Sequence, residues 1–260
     1  LGIPEEKVNE NITKVYDFVS DINYCKKCPG IKNCKKNNPL LCTKIIYQGG
    51  VVDRQLVPCT KFLNQVTYEK QYLVRDFDDA WLDTSIREID QTAQRKKALE
   101  KFVGFLKDGK NDWIYLTGGP NSGRSYLAAV FTTEAAKRKL GPICFINCSQ
   151  RIRELYDLNF KDKEKFQREL DKLCMSKILV LDDFGNEFKN DFVRDAIIFQ
   201  IISMRANKKL FTIVTSDFSI NDIVTLYSTS KAGEVRAKQI GKLITNNAKN
   251  EINLGEISIY

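Results

Sequence analysis

Four short stretches of the chain are apolar without interruption: residues 113–117 (WIYLT), 142–147 (PICFIN), 178–181 (ILVL) and 210–215 (LFTIVT). Runs this short, apolar at successive positions, suit strands buried on both faces. Between them the spacing of apolar residues is helical. It predicts a helix over 91–107 with Ala98, Phe102, Phe105 and Leu106 on one side, and another from the turn near 123 to about 139. Two helices are expected over 150–175, then single ones over 191–207, 220–227 and 234–247. Strands alternating with helices read as an α/β fold with a mainly parallel sheet covered on both faces. At the end of the chain Ile252 and Leu254 share one phase, and Ile257 and Ile259 the other, with Gly255 at the shift. That pattern predicts a closing strand with a bulge.

The first part of the chain is different. Val8, Ile12, Val15, Tyr16 and Val19 predict an amphipathic helix over 5–20 whose apolar stripe needs a partner surface. Residues 22–75 are broken by Pro29, Gly30, Pro39, Gly49 and Gly50 and read as irregular. The expected organisation is an N-terminal module over 1–75, a linker over 76–90 that packs on the second domain, and that α/β domain over 91–260.

The chemistry concentrates where the strands end. Residues 118–125, GGPNSGRS, come directly after the first apolar run and open a helix. The spacing Gly118, four residues, Gly123, then a cation and Ser125 is that of a phosphate-binding loop. Glycines let successive backbone N–H groups point at a phosphate, and the helix adds its positive end. The cation is Arg124 rather than Lys, which keeps the charge but changes its reach. Gly119, Pro120, Asn121 and Ser122 complete the loop, and Ser125 offers a hydroxyl to Mg²⁺. The run at 178–181 ends in Asp182 and Asp183, placed to hold Mg²⁺ and to orient or deprotonate an attacking water. Asp217, just past the 210–215 run, is a further candidate at the terminal phosphate; its competing reading is a helix cap.

Charge and cysteine content add a second theme. The net charge is +8, and residues 22–75 carry all of it, with ten Lys and Arg against Asp53 and Glu69. Such a segment reads either as a solvated surface or as a contact for nucleic acid or an acidic partner. The chain has eight Cys and no His, which excludes imidazole bases and ligands. Cys25 and Cys28 form a CxxC knuckle which, with Cys42 and Cys59, makes a candidate Zn²⁺ set; Cys34 is able to replace Cys42. No apolar run approaches the ~20 residues of a membrane span, so a cytoplasmic protein with no membrane partner is expected.

The order of these parts, a CxxC module, a linker, GGPNSGRSYLAAV, LVLDDFG and TSDF, resembles the bacterial replicative helicase loaders, AAA+ ATPases of the DnaI and DnaC type, and is closer to the DnaI type. The resemblance implies an AAA+ P-loop domain binding ATP and Mg²⁺, preceded by a zinc-binding module that holds the hexameric replicative helicase. It also implies delivery of that helicase to single-stranded DNA in the primosome, and self-assembly through the AAA+ domain. On that basis Gly118 to Ser125 match the Walker A motif and Asp182 with Asp183 the Walker B motif. Cys42 stands where the DnaI type has a His, which favours it over Cys34. Asp217 stands at a sensor position usually held by Asn. Arg205 matches an arginine that acts on a neighbouring subunit's ATP. Arg124 and Asp217 depart from the family pattern at the same ATP, so a weak ATPase or a non-hydrolysing helicase-binding scaffold is expected. ATP-binding subunits of some transposition systems share the AAA+ domain but generally lack the Cys-rich module.

Overall fold

The computed structural model describes residues 2–255 apart from 32, 37 and 91. The second phase of the expected closing strand, at Ile257 and Ile259, lies outside the described residues. The chain divides into two units, Leu1–Glu69 and Lys70–Tyr260.

In the first unit the expected helix is two helices, α1 (Glu5–Glu10) and α2 (Ile12–Lys26), separated at Asn11. Residues 41–58, read as irregular, form an antiparallel hairpin of β1 (Leu41–Gln48) and β2 (Val51–Pro58), and α3 (Thr60–Glu69) comes after it. The hairpin turns on Gly49 and Gly50, at φ of 59° and 80°. Positive φ at both positions of a two-residue turn suits the right-handed twist of the flanking strands and favours glycine. Helix α2 is tied to the hairpin by Asp21, which accepts from the Thr43 N–H at 2.8 Å, and by Lys14, which donates to the Val52 carbonyl at 2.9 Å. Ile12, Tyr16 and Val19 of the apolar stripe remain exposed.

The second unit is built on a six-stranded parallel sheet in the order β3 (Tyr72–Arg75), β5 (Ile143–Asn147), β6 (Ile178–Asp182), β7 (Phe211–Ser216), β4 (Ile114–Thr117) and β8 (Glu251–Asn253). Its first strand, β3 (Tyr72–Arg75), pairs with β5 inside the stretch that reads as irregular, and the division between units accordingly falls six residues earlier than residue 75. Residues 76–90 pack through two 3₁₀ turns, with Phe77, Leu82 and Ile89 buried and Phe77 edge-on to Phe145 at 4.8 Å. Helix α4 (Ala93–Asp108) leads to β4 (Ile114–Thr117), α5 (Arg124–Lys137) and β5 (Ile143–Asn147). Then come α6 (Cys148–Lys161), α7 (Lys163–Met175) and β6 (Ile178–Asp182). A π-helical turn, Val193–Ile198, runs into α8 (Phe199–Asn207), and the chain ends in β7 (Phe211–Ser216), α9 (Ile220–Tyr227), α10 (Lys231–Ala248) and β8 (Glu251–Asn253).

Strand alternation sorts the core. Tyr115, Cys144, Ile146, Leu179, Leu181 and Val214 join residues of α6, α7, α8, α9 and α10 in one cluster. The opposite face carries Phe211, which stacks on Phe105 at 4.1 Å, while Phe102 stacks on Phe131 at 4.5 Å. All residues of β4, β6 and β7 are buried, which is why their sequences show no polar alternation.

Candidate functional site

Because β7 is inserted between β6 and β4, the C-terminal ends of these strands stand side by side. Thr117 is in register with Ser216, and Leu181 with Val214. The loop after β4, the acids after β6 and Asp217 after β7 therefore meet at one edge of the sheet. Open α/β sheets place ligands outside the carboxyl ends of their strands.

The loop has the backbone of a phosphate cradle. Gly118 and Gly123 adopt φ of 152° and 83°, and a Cβ at Gly118 would lie 2.8 Å from the Ser122 hydroxyl and from the Gly255 carbonyl. Ser122 is buried, and its Oγ is without a hydrogen-bond partner among the described residues. A phosphate oxygen would satisfy that orphaned donor. Asn121, at φ 61°, sits in the left-handed region that Asn tolerates better than most residues. Arg124 is the first residue of α5 and only 7% exposed. Its Nη1 donates to the carbonyls of Gly118 and Ser216, and its Nη2 pairs with Asp217 Oδ1 at 2.5 Å. A Lys Nζ could not span these acceptors in one plane.

The carboxylates differ in environment. Asp182 is buried; it accepts from the Thr215 hydroxyl at 2.6 Å and from the Ser125 side chain. Desolvation raises its carboxyl above the usual range despite these bonds. Ser125 and Asp182 are thus already neighbours, the oxygen pair a Mg²⁺ ion would use. Asp183, raised chiefly by desolvation and also by Asp217, is held at φ 55° with its N–H on Thr215 Oγ1 at 3.0 Å. Left-handed backbone at a non-glycine residue costs free energy and persists where surroundings enforce it. Asp217 also loses hydration, but bonds from Asn186 and Arg124 and the Arg124 charge hold its carboxyl below the usual range. The helix cap is Ser219, which forms a capping box with Asp222, so Asp217 is not spent as a cap.

Two cavities flank the loop. One, of about 360 Å³, is lined by Trp81 and residues 121–126; the other, of about 510 Å³, by residues 117–120, Asp217, Ser219, Asp222, Glu251, Asn253 and Gly255. Four further residues of the site carry no signal in the sequence: Trp81, Thr215, Asn186, and Arg95, which donates to the Ser122 carbonyl at 3.4 Å. Each acts through a tertiary contact, so no local motif marks it.

Arg205 requires a correction. Expected to reach a neighbouring subunit, it is fully buried, and its guanidinium donates to the carbonyls of Leu173, Ser176 and Phe211 and to Thr212 Oγ1. It ties α8 to β7 and to the end of α7, and none of its length is left at the surface.

The candidate metal set lies in the first unit. Cys25 and Cys42 both approach Lys36 Nζ, at 4.0 and 3.8 Å. Burial pushes the Cys42 thiol up to about 11, opposed by Lys36 and reinforced by Cys25 and Cys59. The Gly30 N–H, helped by Lys61 and opposed by partial desolvation, holds Cys28 below the usual thiol range. Among the described residues no group of three or more His, Cys, Asp and Glu side chains is arranged to hold a metal ion. Cys144, Cys148 and Cys174 are buried free thiols of the second unit. Among the described residues no helix is long and apolar enough to cross a membrane.

The model of the family described as IstB-like ATP binding protein matches residues 64–231, well over half of the chain. The replicative helicase loader DnaI of Bacillus subtilis (strain 168) is 22% identical over 254 residues, covering 93% of this chain and 79% of that protein. A crystal structure of DnaI superposes with a TM-score of 0.63 at 25% identity, over 72% of this chain and 98% of that one. A putative primosome component from Streptococcus pyogenes serotype M3 shares the fold, with a TM-score of 0.57 at 20% identity over 73% of this chain and 95% of that one.

Proposed function

The chain belongs to the family of IstB-like ATP binding proteins, and from that premise we propose that it is a loader of the replicative helicase in DNA replication. In this reading it binds ATP and Mg²⁺ at residues 118–125, acts in the cytoplasm, and delivers the hexameric helicase to single-stranded DNA. One observation carries the choice of function. The similarity to a replicative helicase loader runs over 93% of the chain, into the first unit, whereas the family model begins only at residue 64. A transposition ATP-binding subunit would account for the second unit alone.

Within the site the roles derive from position. Backbone N–H groups of Gly119 and of residues 121–125, with the start of α5, bind the inner phosphates; Pro120 has no N–H to offer. Ser125 and Asp182 would hold Mg²⁺, which when bound would neutralise phosphate charge. Asp183, whose carboxyl is raised by desolvation, orients the water and accepts its proton. Arg124 supplies the loop's cation, and Asp217 holds it. Contact with single-stranded DNA and self-assembly through the AAA+ domain belong to the same reading. The test is ATP turnover by the full chain with and without a partner helicase and single-stranded DNA, alongside co-elution with the helicase. Stimulated turnover and a stable complex are expected; absence of both would sink the loader reading. Helicase binding without any turnover would favour the scaffold reading, which the engaged Arg124–Asp217 pair also supports.

Zinc is a separate part of this proposal, supported by the CxxC spacing of Cys25 and Cys28 with Cys42 and Cys59 further along. Cys25, Cys28, Cys42 and Cys59 are the ligands proposed. Metal analysis of purified protein decides it: one equivalent of zinc, lost in Cys42→Ser, is expected, and a metal-free native chain removes zinc from the scheme.

A further inference from the structure

The two cavities beside the phosphate loop differ in charge. Among the described residues, the one bounded by Trp81 and residues 121–126 has Arg124 and no carboxylate in its lining. The one beyond the loop is lined by Asp217, Asp222 and Glu251, and among the described residues no Lys or Arg lines it. Between them lies Arg124, whose two Nη1 hydrogens are used by the Gly118 and Ser216 carbonyls and whose Nη2 is paired with Asp217. Of its five donors, the Nε hydrogen and one on Nη2 are uncommitted to these partners.

We propose that Asp217 sets the phosphate count of the ligand: with Arg124 engaged by it, the site takes a nucleoside diphosphate in preference to the triphosphate. This deepens the nucleotide-site reading above and rests on it. The inner phosphates need backbone N–H groups and the α5 terminus, which the Arg124–Asp217 pair leaves untouched. A terminal phosphate must instead be placed near the carboxylates of Asp182, Asp183 and Asp217, with the one nearby guanidinium, Arg124, already paired with Asp217. Asn186, donating to Asp217 Oδ2 at 2.8 Å, fixes the carboxylate from the other side, so it cannot simply swing away without breaking a second bond. A Mg²⁺ ion held by Ser125 and Asp182 would serve both ligands, and so would not offset the difference.

The test is calorimetric titration of the full chain with ADP and with ATP, each with Mg²⁺, for the native protein, Asp217→Asn and Arg124→Lys/Asp217→Asn. The Asn side chain keeps the size of Asp and an acceptor for Asn186; Asp217→Ser serves as a second variant should the first fail to fold. ADP is expected to bind the native chain at least about tenfold more tightly than ATP. Removing the Asp217 charge is expected to shift that ratio toward ATP by roughly tenfold or more, the scale of one charge near a partly exposed phosphate. Equal affinities in the native chain, or an unchanged ratio in the Asp217 variants while both nucleotides still bind, would overturn the inference and leave the nucleotide site intact. Binding of neither nucleotide to any of these proteins would overturn the nucleotide reading, and this inference with it.

Discussion

Arg124 Nη2 and Asp217 Oδ1 stand 2.5 Å apart although their residues are 93 positions apart in the chain. The contact exists because β7 is inserted between β4 and β6, which sets the residue after β7 against the first turn of α5. The fork of Arg124 and the carboxylate of Asp217 satisfy each other, so the two residues form one structural feature at the C-terminal ends of β4 and β7.

The pair has a defined pH window. Desolvation of Asp217 is outweighed by its bonds to Asn186 and Arg124, so its folded carboxyl titrates below the usual carboxylate range. A depressed carboxyl contributes stability that is fully present above the unfolded pKa and is lost as pH falls through the folded one. The difference in Tm between the native chain and Asp217→Asn should thus be constant from about pH 8 to about 5 and shrink only below about 4. Because Asp217 is 36% exposed in its side chain, that difference should be small, about 1 kcal/mol or less. A difference that vanishes already near about pH 6 would show that the pair is not formed in solution.

Asp182 has the opposite sign. Desolvation raises its folded pKa above the unfolded value, so at neutral pH the buried charge opposes folding, and stability is gained as pH falls through the raised value. Asp182→Asn should leave Tm unchanged or raise it, since an amide oxygen can still accept from Thr215. Mg²⁺-dependent nucleotide binding should fall by roughly tenfold or more, as a charged ligand is lost. Paired thermal melts and titrations check this; a large drop in Tm would mean that the carboxylate is structural.

Much of the site is legible in the sequence because buried parallel strands write themselves as uninterrupted apolar runs, and their last residues are then fixed at one edge of the sheet. That logic brings 118–125, Asp182, Asp183 and Asp217 together. It fails where burial is partial. β3, YLVR, is an edge strand with Leu73 exposed and Arg75 ion-paired to Asp79, so its four residues carry no clear period. The β1–β2 hairpin has a signal in Gly49-Gly50 between β-branched residues, but the surrounding Lys and Pro, on strands that are largely exposed, hide the alternation that would support it. Arg205 escapes for a general reason: arginine is seldom fully buried, and only tertiary contacts reveal that its donors end on the carbonyls of Leu173, Ser176 and Phe211.

Trp81 offers an optical report on the site. Trp113 is fully buried, with its Nε1 on the Leu210 carbonyl at 3.0 Å, whereas Trp81 is half-buried at the cavity beside residues 121–126 and meets Tyr126 edge-on at 5.9 Å. A nucleobase entering that cavity would stack on or near the Trp81 ring and change its emission. Nucleotide should therefore alter the fluorescence of the native chain and of Trp113→Phe, and leave Trp81→Phe unchanged. Trp81→Ala should weaken binding by about 1 kcal/mol, roughly fivefold, as loss of one aromatic stacking contact does. An unchanged signal at saturating nucleotide would place the base elsewhere.

Arg205 separates a structural role from a catalytic one. As a finger reaching a neighbour, its loss would abolish partner-stimulated turnover and leave the monomer's stability alone. Buried as it is, its truncation strips the donors from the Leu173, Ser176 and Phe211 carbonyls and opens a cavity between α8 and β7. Burial pushes the guanidinium down to about 9, still charged at neutral pH, and several hydrogen bonds compensate the desolvation. Arg205→Ala should then lower stability by roughly 3 kcal/mol or more, each orphaned acceptor and the cavity adding to the loss. Arg205→Lys, with one nitrogen for several acceptors, should fall between. Urea unfolding gives these values, and nucleotide affinity measured on the folded fraction should stay near native. A variant as stable as the native chain but unable to respond to a partner would restore the finger, and would require the α7–α8–β7 junction to open on assembly.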